Sequence, residues 1–353
     1  MIRNSAVILA LVALAACEFP TEPPKWDQTW VVAGESITVS VAELLPAGVR
    51  LSHDSTAFET DAPGTSISFS LAEMCGTACT TADGFTVPKP EFHDTLTISS
   101  ALPGDLVSAT LAGGSFDVTM GHNLSFDPLR PSMDPANPRG EILIRVTSNG
   151  ALVAYDSISG DDQAFAPGTT LSPTLSVLPV EVTNNLDIEI AIYSPEGDTT
   201  TIDSSDTLGV TLAPSTIQIA EATVTASAIT IDPVTTTMDF GGVDSTLVDR
   251  IQSGAIRFDV TNPFTVTGTL DLAFQGLTPA IQRTLPINQG SYAQRLEFSG
   301  SELRAILGSD AVDVVASGGV SASDGTVTVT PTQRLVLENE FELVVLIGPL
   351  EDL

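Results

Sequence analysis

Apolar and polar residues alternate along most of this chain with a period of two. Ser36-Ile37-Thr38-Val39-Ser40-Val41, Ser66-Ile67-Ser68-Phe69-Ser70-Leu71 and Thr326-Val327-Thr328-Val329-Thr330 carry the pattern without a break. It recurs in runs at 141–146, 187–192, 216–224, 255–260, 269–274, 335–338 and 340–347, all rich in Thr, Val and Ile. Branched side chains suit a pleated, half-buried surface, and period two puts them on one face of a strand. Turn dipeptides punctuate the runs: Pro63-Gly64, Pro103-Gly104, Asn149-Gly150, Pro167-Gly168, Glu196-Gly197-Asp198 and Asp324-Gly325. An all-β protein built from antiparallel β-sandwiches is the expected outcome.

A chain of 353 residues is long for one sandwich. Asp105–Thr119 followed by Asn123-Leu124 parallels Ser245–Thr261 followed by Asn262-Pro263-Phe264. Each reads as a short Leu-Val segment, a glycine, a strand ending in Asp-Val-Thr, then Asn and an apolar residue. Two tandem sandwich domains follow from this repeat, over 31–227 (with an N-terminal hairpin layer) and 228–353. Leu106, Val107 and Leu111, like Leu247, Val248 and Ile251, lie three to five apart. That spacing predicts one short helix per domain, plugging the end of the sandwich and stopped by Gly113 or Gly254.

The first residues break the alternation. Ala6 to Ala16 form an apolar run behind a single basic residue, Arg3, as in a secretory signal peptide over residues 1–16. Eleven helical residues span roughly 16 Å, about half a bilayer core, so the run is too short to cross a membrane. Leu14-Ala15-Ala16-Cys17 resembles the lipobox of bacterial lipoproteins. The resemblance implies that Cys17 is acylated, becomes the mature amino terminus and attaches the protein to the membrane. Glu18, where inner-membrane retention would use aspartate, implies the outer membrane. Residues 17–30 hold three prolines and read as a lipid-anchored stalk. Trp26 and Trp30 fit either the headgroup layer or packing against the first strand.

Residues 256–264, Ile-Arg-Phe-Asp-Val-Thr-Asn-Pro-Phe, resemble the strand and Asn-Pro-Phe turn of the late-embryogenesis-abundant group-two module, also called the water-stress-and-hypersensitive-response domain. The resemblance spans about 228–349. It implies a β-sandwich with one short helix and no enzyme chemistry. The first unit departs from it, with Gly121-His122-Asn123-Leu124 and no proline.

Charge narrows the function. With 13 Lys+Arg against 44 Asp+Glu, the formal charge is −31. Such a surface repels phosphate backbones, which argues against nucleic-acid partners. Cys75 and Cys79, exported to an oxidising compartment, are expected to form a local disulfide. His53, His93 and His122 are scattered, each near an acid (Asp54, Asp94, Asp127), and read as surface residues. No Gly-x-Ser-x-Gly or His-Glu-x-x-His motif is present. The chain therefore reads as non-enzymatic, with no metal or other cofactor. Calcium at the acidic turns 159–162 and 196–206 is the alternative to a solvated acidic surface. The expected role is an exported, lipid-anchored envelope protein that presents its sandwiches for a structural role or for contact with an envelope protein. A small-ligand or lipid-binding module is the alternative, and an envelope hydrolase the least supported.

Overall fold

The computed structural model describes residues 24–348 apart from 63, 103, 104, 184, 214 and 242. The signal peptide, Cys17, Pro63, Pro103 and Gly104 lie outside the described residues. The fold is all-β, as the alternation requires, with antiparallel sheets paired face to face.

In the first sandwich one sheet has four strands, in the order Ala151–Ser159, Glu141–Ser148, Asn185–Ser194, Phe92–Ala101. Ile142, Ile144, Val146, Ile188, Ile190 and Ile192 point inward and are sealed from solvent. Arg145, Glu189 and Tyr155 occupy the outer face in register with one another. Asn149-Gly150 makes the two-residue turn between the first two strands. The opposing sheet is larger and is organised around the long strand Leu106–His122, flanked by Thr207–Leu212 and Ser215–Thr225.

The second sandwich pairs the sheet of Arg334–Ile347, Ile251–Asn262 and Gly290–Ser299 with a sheet ordered Ile229–Asp239, Ala311–Ala322, Val266–Phe274, Ile281–Ile287. Edge-to-face aromatic pairs bridge the layers, Phe274 with Phe298 at 5.8 Å and Phe240 with Phe341 at 5.4 Å.

The division of the chain differs from the sequence expectation. Trp26–Ala33 and Ile37–Ser40 both pair with Arg334–Ile347, so residues from the expected stalk and first domain complete the second sandwich. In exchange Thr326–Val329 adds to Ser215–Thr225 of the first. A boundary at 31 or 228 cannot describe this exchange, because alternation marks the buried face of a strand and not its neighbour.

Of the two expected short helices, the first is a strand and the second is present but only one turn long. Leu106, Ala109 and Leu111 belong to a strand, and Val107 is the extra residue of a β-bulge opposite Thr223 and Val224. One added residue turns a period-two spacing into an apparently helical one. Gly113 therefore lies within a strand. Ser245–Val248 is a single helical turn, while Ile251 and Gly254 belong to the next strand. The elements that cover the sandwich ends are α1 (Leu71–Cys75), α2 (Thr77–Thr81) and, beyond α3 (Ser245–Val248), α4 (Gly300–Leu307). Helices α1 and α4 start alike: Phe69-Ser70-x-x-Glu73 and Phe298-Ser299-x-x-Glu302. In both, the serine accepts from the glutamate amide and the glutamate carboxylate accepts from the serine amide. Cys75 and Cys79 are joined in a disulfide linking α1 to α2 across Gly76.

Candidate functional site

Strand Leu106–His122 ends at a corner, and residues 123–140 run without regular structure to the next strand. Loops this long inside a compact fold are usually functional or disordered. This one is held throughout by hydrogen bonds. Asp127 opens it: Oδ1 accepts the amides of Leu129 (2.8 Å) and Arg130 (2.9 Å), and Oδ2 accepts that of Phe165 (2.9 Å). Arg130 donates to the carbonyls of Gly160 and Asp161. Further on, Asp198 accepts from Ser132 Oγ (3.0 Å) and the Met133 amide (2.8 Å). Asn137 donates to Ser132 Oγ (2.8 Å), and Arg139 to the Ser132 carbonyl (3.0 Å).

Under this loop lies Lys89, fully buried. Its Nζ donates to Ser194 O (2.9 Å), Ser194 Oγ (2.6 Å) and Pro195 O (2.6 Å), and sits 4.4 Å from the Phe92 ring centroid and 5.2 Å from that of Phe126. Three acceptors and two aromatic faces offset part of the cost of burying an ammonium. Burial pulls its pKa down from 10.5 to about 7, opposed by the Glu91 carboxylate. The Lys89 backbone adds two bonds to the same segment, its amide to Asp198 O and its carbonyl from the Gly197 amide. Gly197 allows the loop to close on this turn, since a Cβ there would stand 2.5 Å from the Pro131 carbonyl oxygen.

A cleft of about 390 Å³ opens beside this scaffold, lined by Glu91, Asn137, Pro138, Tyr193, Pro195, Glu196, Gly197 and Asp198. Met133 stands on the loop at the same end and is 91% exposed. Its amide is bonded to Asp198, so the side chain is displayed from a fixed backbone. The Lys89–Ser194 contact has the atoms of a nucleophile and a base, yet Ser194 Oγ gives its proton to Pro128 O (2.7 Å) and both residues are sealed from solvent. The pair organises the turn that lines the cleft.

Between the sheets of the second sandwich little space remains. The apolar gap in the second sandwich, lined by Val39, Phe264, Ile287 and Leu335 among others, measures about 10 Å³, room for roughly one water.

The sequence-derived candidates do not converge. His53 lies in the turn after strand Val49–Leu51 and His93 on the outer face of Phe92–Ala101, whereas His122 is buried rather than at the surface. Its Nδ1 accepts the Leu124 amide (3.1 Å), which leaves Nε2–H to donate to Phe165 O (2.8 Å). Burial lowers its pKa, opposed by the Phe165 carbonyl and by the charges of Asp127 and Asp206. In the acidic turns Asp198 is engaged as above, and Asp203 accepts from the amide (2.9 Å) and hydroxyl (2.6 Å) of Ser205. Among the described residues no three His, Cys, Asp or Glu side chains are placed to share a metal ion. Lys89 was absent from the sequence-derived candidates. Its one signal is position, a lysine between two prolines leading into the apolar alternation of Phe92–Ala101.

No family model and no curated protein matches the chain. Solved structures that align with it include a candidate secreted protein from Parabacteroides distasonis, 11% identical, covering 90% of this chain and 99% of that one with a TM-score of 0.31. A second is Broad Bean Stain Virus, 10% identical, covering 86% and 93% with a TM-score of 0.23.

Proposed function

We propose that this is an exported, lipid-anchored envelope protein that acts by display: Cys17 holds it to a membrane, and the end of the first sandwich meets a partner. The single observation that carries the reading is the contrast between interior and end. The inner faces of the sheets are packed with buried side chains, while loop 123–140 is locked by Asp127, Asp198 and Lys89 and presents Met133 beside an open cleft. A preorganised loop binds without a large ordering cost, and an exposed methionine adapts to the surface it meets. The filled interior weakens the ligand-carrier alternative, and the sealed Lys89–Ser194 pair offers no substrate access for a hydrolase. The lipobox resemblance supports the anchor, and its Glu18 favours the outer membrane.

Two measurements test this. Wild-type protein should fractionate with host membranes and carry an acyl mass at its mature terminus, while Cys17→Ser should be released. A photo-crosslinking residue at 133 should trap a defined partner on intact cells, and one at the exposed Glu221 should not. Equal trapping at both positions, or none at 133, would sink the display reading.

A further inference from the structure

Strand Trp26–Ala33 is the outermost of its sheet, with Arg334–Ile347 on one side. Trp30 stands opposite Leu343 and Trp26 opposite Ile347, so both indoles lie on the face that Phe341, Leu343 and Val345 turn into the core. Those three are sealed, yet Trp26 is 52% and Trp30 41% exposed. The apolar face continues beyond what the opposing sheet covers. Val31, on the other face, is also exposed. An exposed eight-residue edge strand with five apolar residues and one charge, Asp27, invites association and in most proteins is blunted or covered.

We propose that this edge is covered by the membrane itself: Trp26 and Trp30 enter the headgroup layer of the bilayer that holds Cys17, so the second sandwich lies against the lipid surface. The inference rests on the anchoring of Cys17 proposed above. Chain length argues for lipid as the occupant. Eight residues lie between Cys17 and Trp26, nine backbone steps and a reach of roughly 28 Å as polyproline helix. That tether keeps the indoles at high effective concentration beside the bilayer. Indole rings, apolar with one N–H donor, favour that boundary. Charge agrees, since Lys25 and Asp27 offset one another and the neighbouring Glu340 and Glu342 stand opposite Ala33 and Val31, on the face away from the indoles. The docking therefore relies on apolar contact and works on zwitterionic lipid.

Trp26 and Trp30 are the only tryptophans in the chain, so its intrinsic fluorescence reports this strand alone. The test places lipidated full-length protein in phosphatidylcholine–phosphatidylethanolamine vesicles, with and without lipids brominated near the headgroup. Blue-shifted emission and roughly twofold quenching by the brominated lipid are expected, at low and high salt alike. Trp26→Tyr and Trp30→Tyr, each retaining one reporter, should each show part of the effect. Vesicle-bound protein whose emission stays as in water overturns the docking and leaves the anchor standing. Protein that never reaches the vesicles overturns both. A shift that appears without lipid as protein concentration rises assigns the edge to a second copy of the chain and overturns the proposal.

Discussion

Each sandwich turns its central strand over a buried polar side chain, His122 in the first and Asn262 in the second. Both accept the amide two residues on, Leu124 in one case and Phe264 in the other. Asn262 also donates to the carbonyls of Val266 (3.1 Å) and Asn288 (3.0 Å), and the chain returns to a strand after residues 263–265. His122 reaches Phe165 instead, and residues 123–140 intervene before the next strand. The same backbone need is met by an amide that does not titrate and by an imidazole that does. Around the imidazole the fold has added a long loop, a buried lysine and a cleft. The two sandwiches differ most in how this corner is elaborated.

The largest expected break in this comparison comes from Lys89. Lys89→Ala removes a stem packed on two rings and orphans three buried acceptors, at a cost of about 4 kcal/mol in urea unfolding. Lys89→Met refills the space and leaves the acceptors unpaired, so about 2 kcal/mol should remain. A methionine variant as stable as wild type would show that the ammonium does not organise the loop. Because burial holds the folded pKa near 7 against an ordinary 10.5, the unfolded chain binds more protons between those values. Wild type should therefore gain stability from pH 7 to 9.5 relative to Lys89→Met.

The corners come next. Asn262→Ala leaves an amide and two carbonyls without partners and should cost about 2–3 kcal/mol. His122→Asn keeps an acceptor for Leu124 but loses Phe165, at about 1–2 kcal/mol. The histidine pKa is lowered in the folded state, so its contribution is full above 6.5 and is lost as pH falls below it. Relative to the intrinsic exchange rate at each pH, amide protection around 122–129 should fall at pH 5 in wild type and not in His122→Asn, while that of residues 262–266 stays unchanged.

Smaller effects test where the two units agree. Ser70→Ala and Ser299→Ala should each cost about 1 kcal/mol, since both remove the same cap. A marked inequality would show that α1, stapled by the disulfide, depends less on its cap than α4. Raising salt from low to molar concentration should lift the melting temperature by about 2–4 °C by screening the acidic surface. An unchanged midpoint would remove self-repulsion from the account.

Much of the fold was legible where the signal is local. Alternation marked the strands around 141–146, 187–192 and 255–260, and the Cys75–Cys79 spacing marked the disulfide. The first expected helix was misplaced because a bulge at Val107 imitates helical spacing, the turn at Leu247-Val248 was placed but overextended, and the repeated Phe-Ser-x-x-Glu pattern at 69 and 298 was the readable cue for the others. The candidate site was almost invisible. Lys89, Asp127 and Asp198 are ordinary residues in sequence, and only loop closure brings them within bonding distance.

Period two by itself determined that the chain is all-β and which side chains face inward, because each residue's own place on a pleat fixes its direction. Tertiary structure decided which strands are neighbours. Backbone amides and carbonyls are alike in every strand, so nothing local tells Trp26–Ala33 to cross the molecule to Arg334–Ile347, or Thr326–Val329 to return to the first sandwich. Those choices follow from burying all the apolar faces at once, and the same packing sets a lysine under the loop that the first sandwich presents.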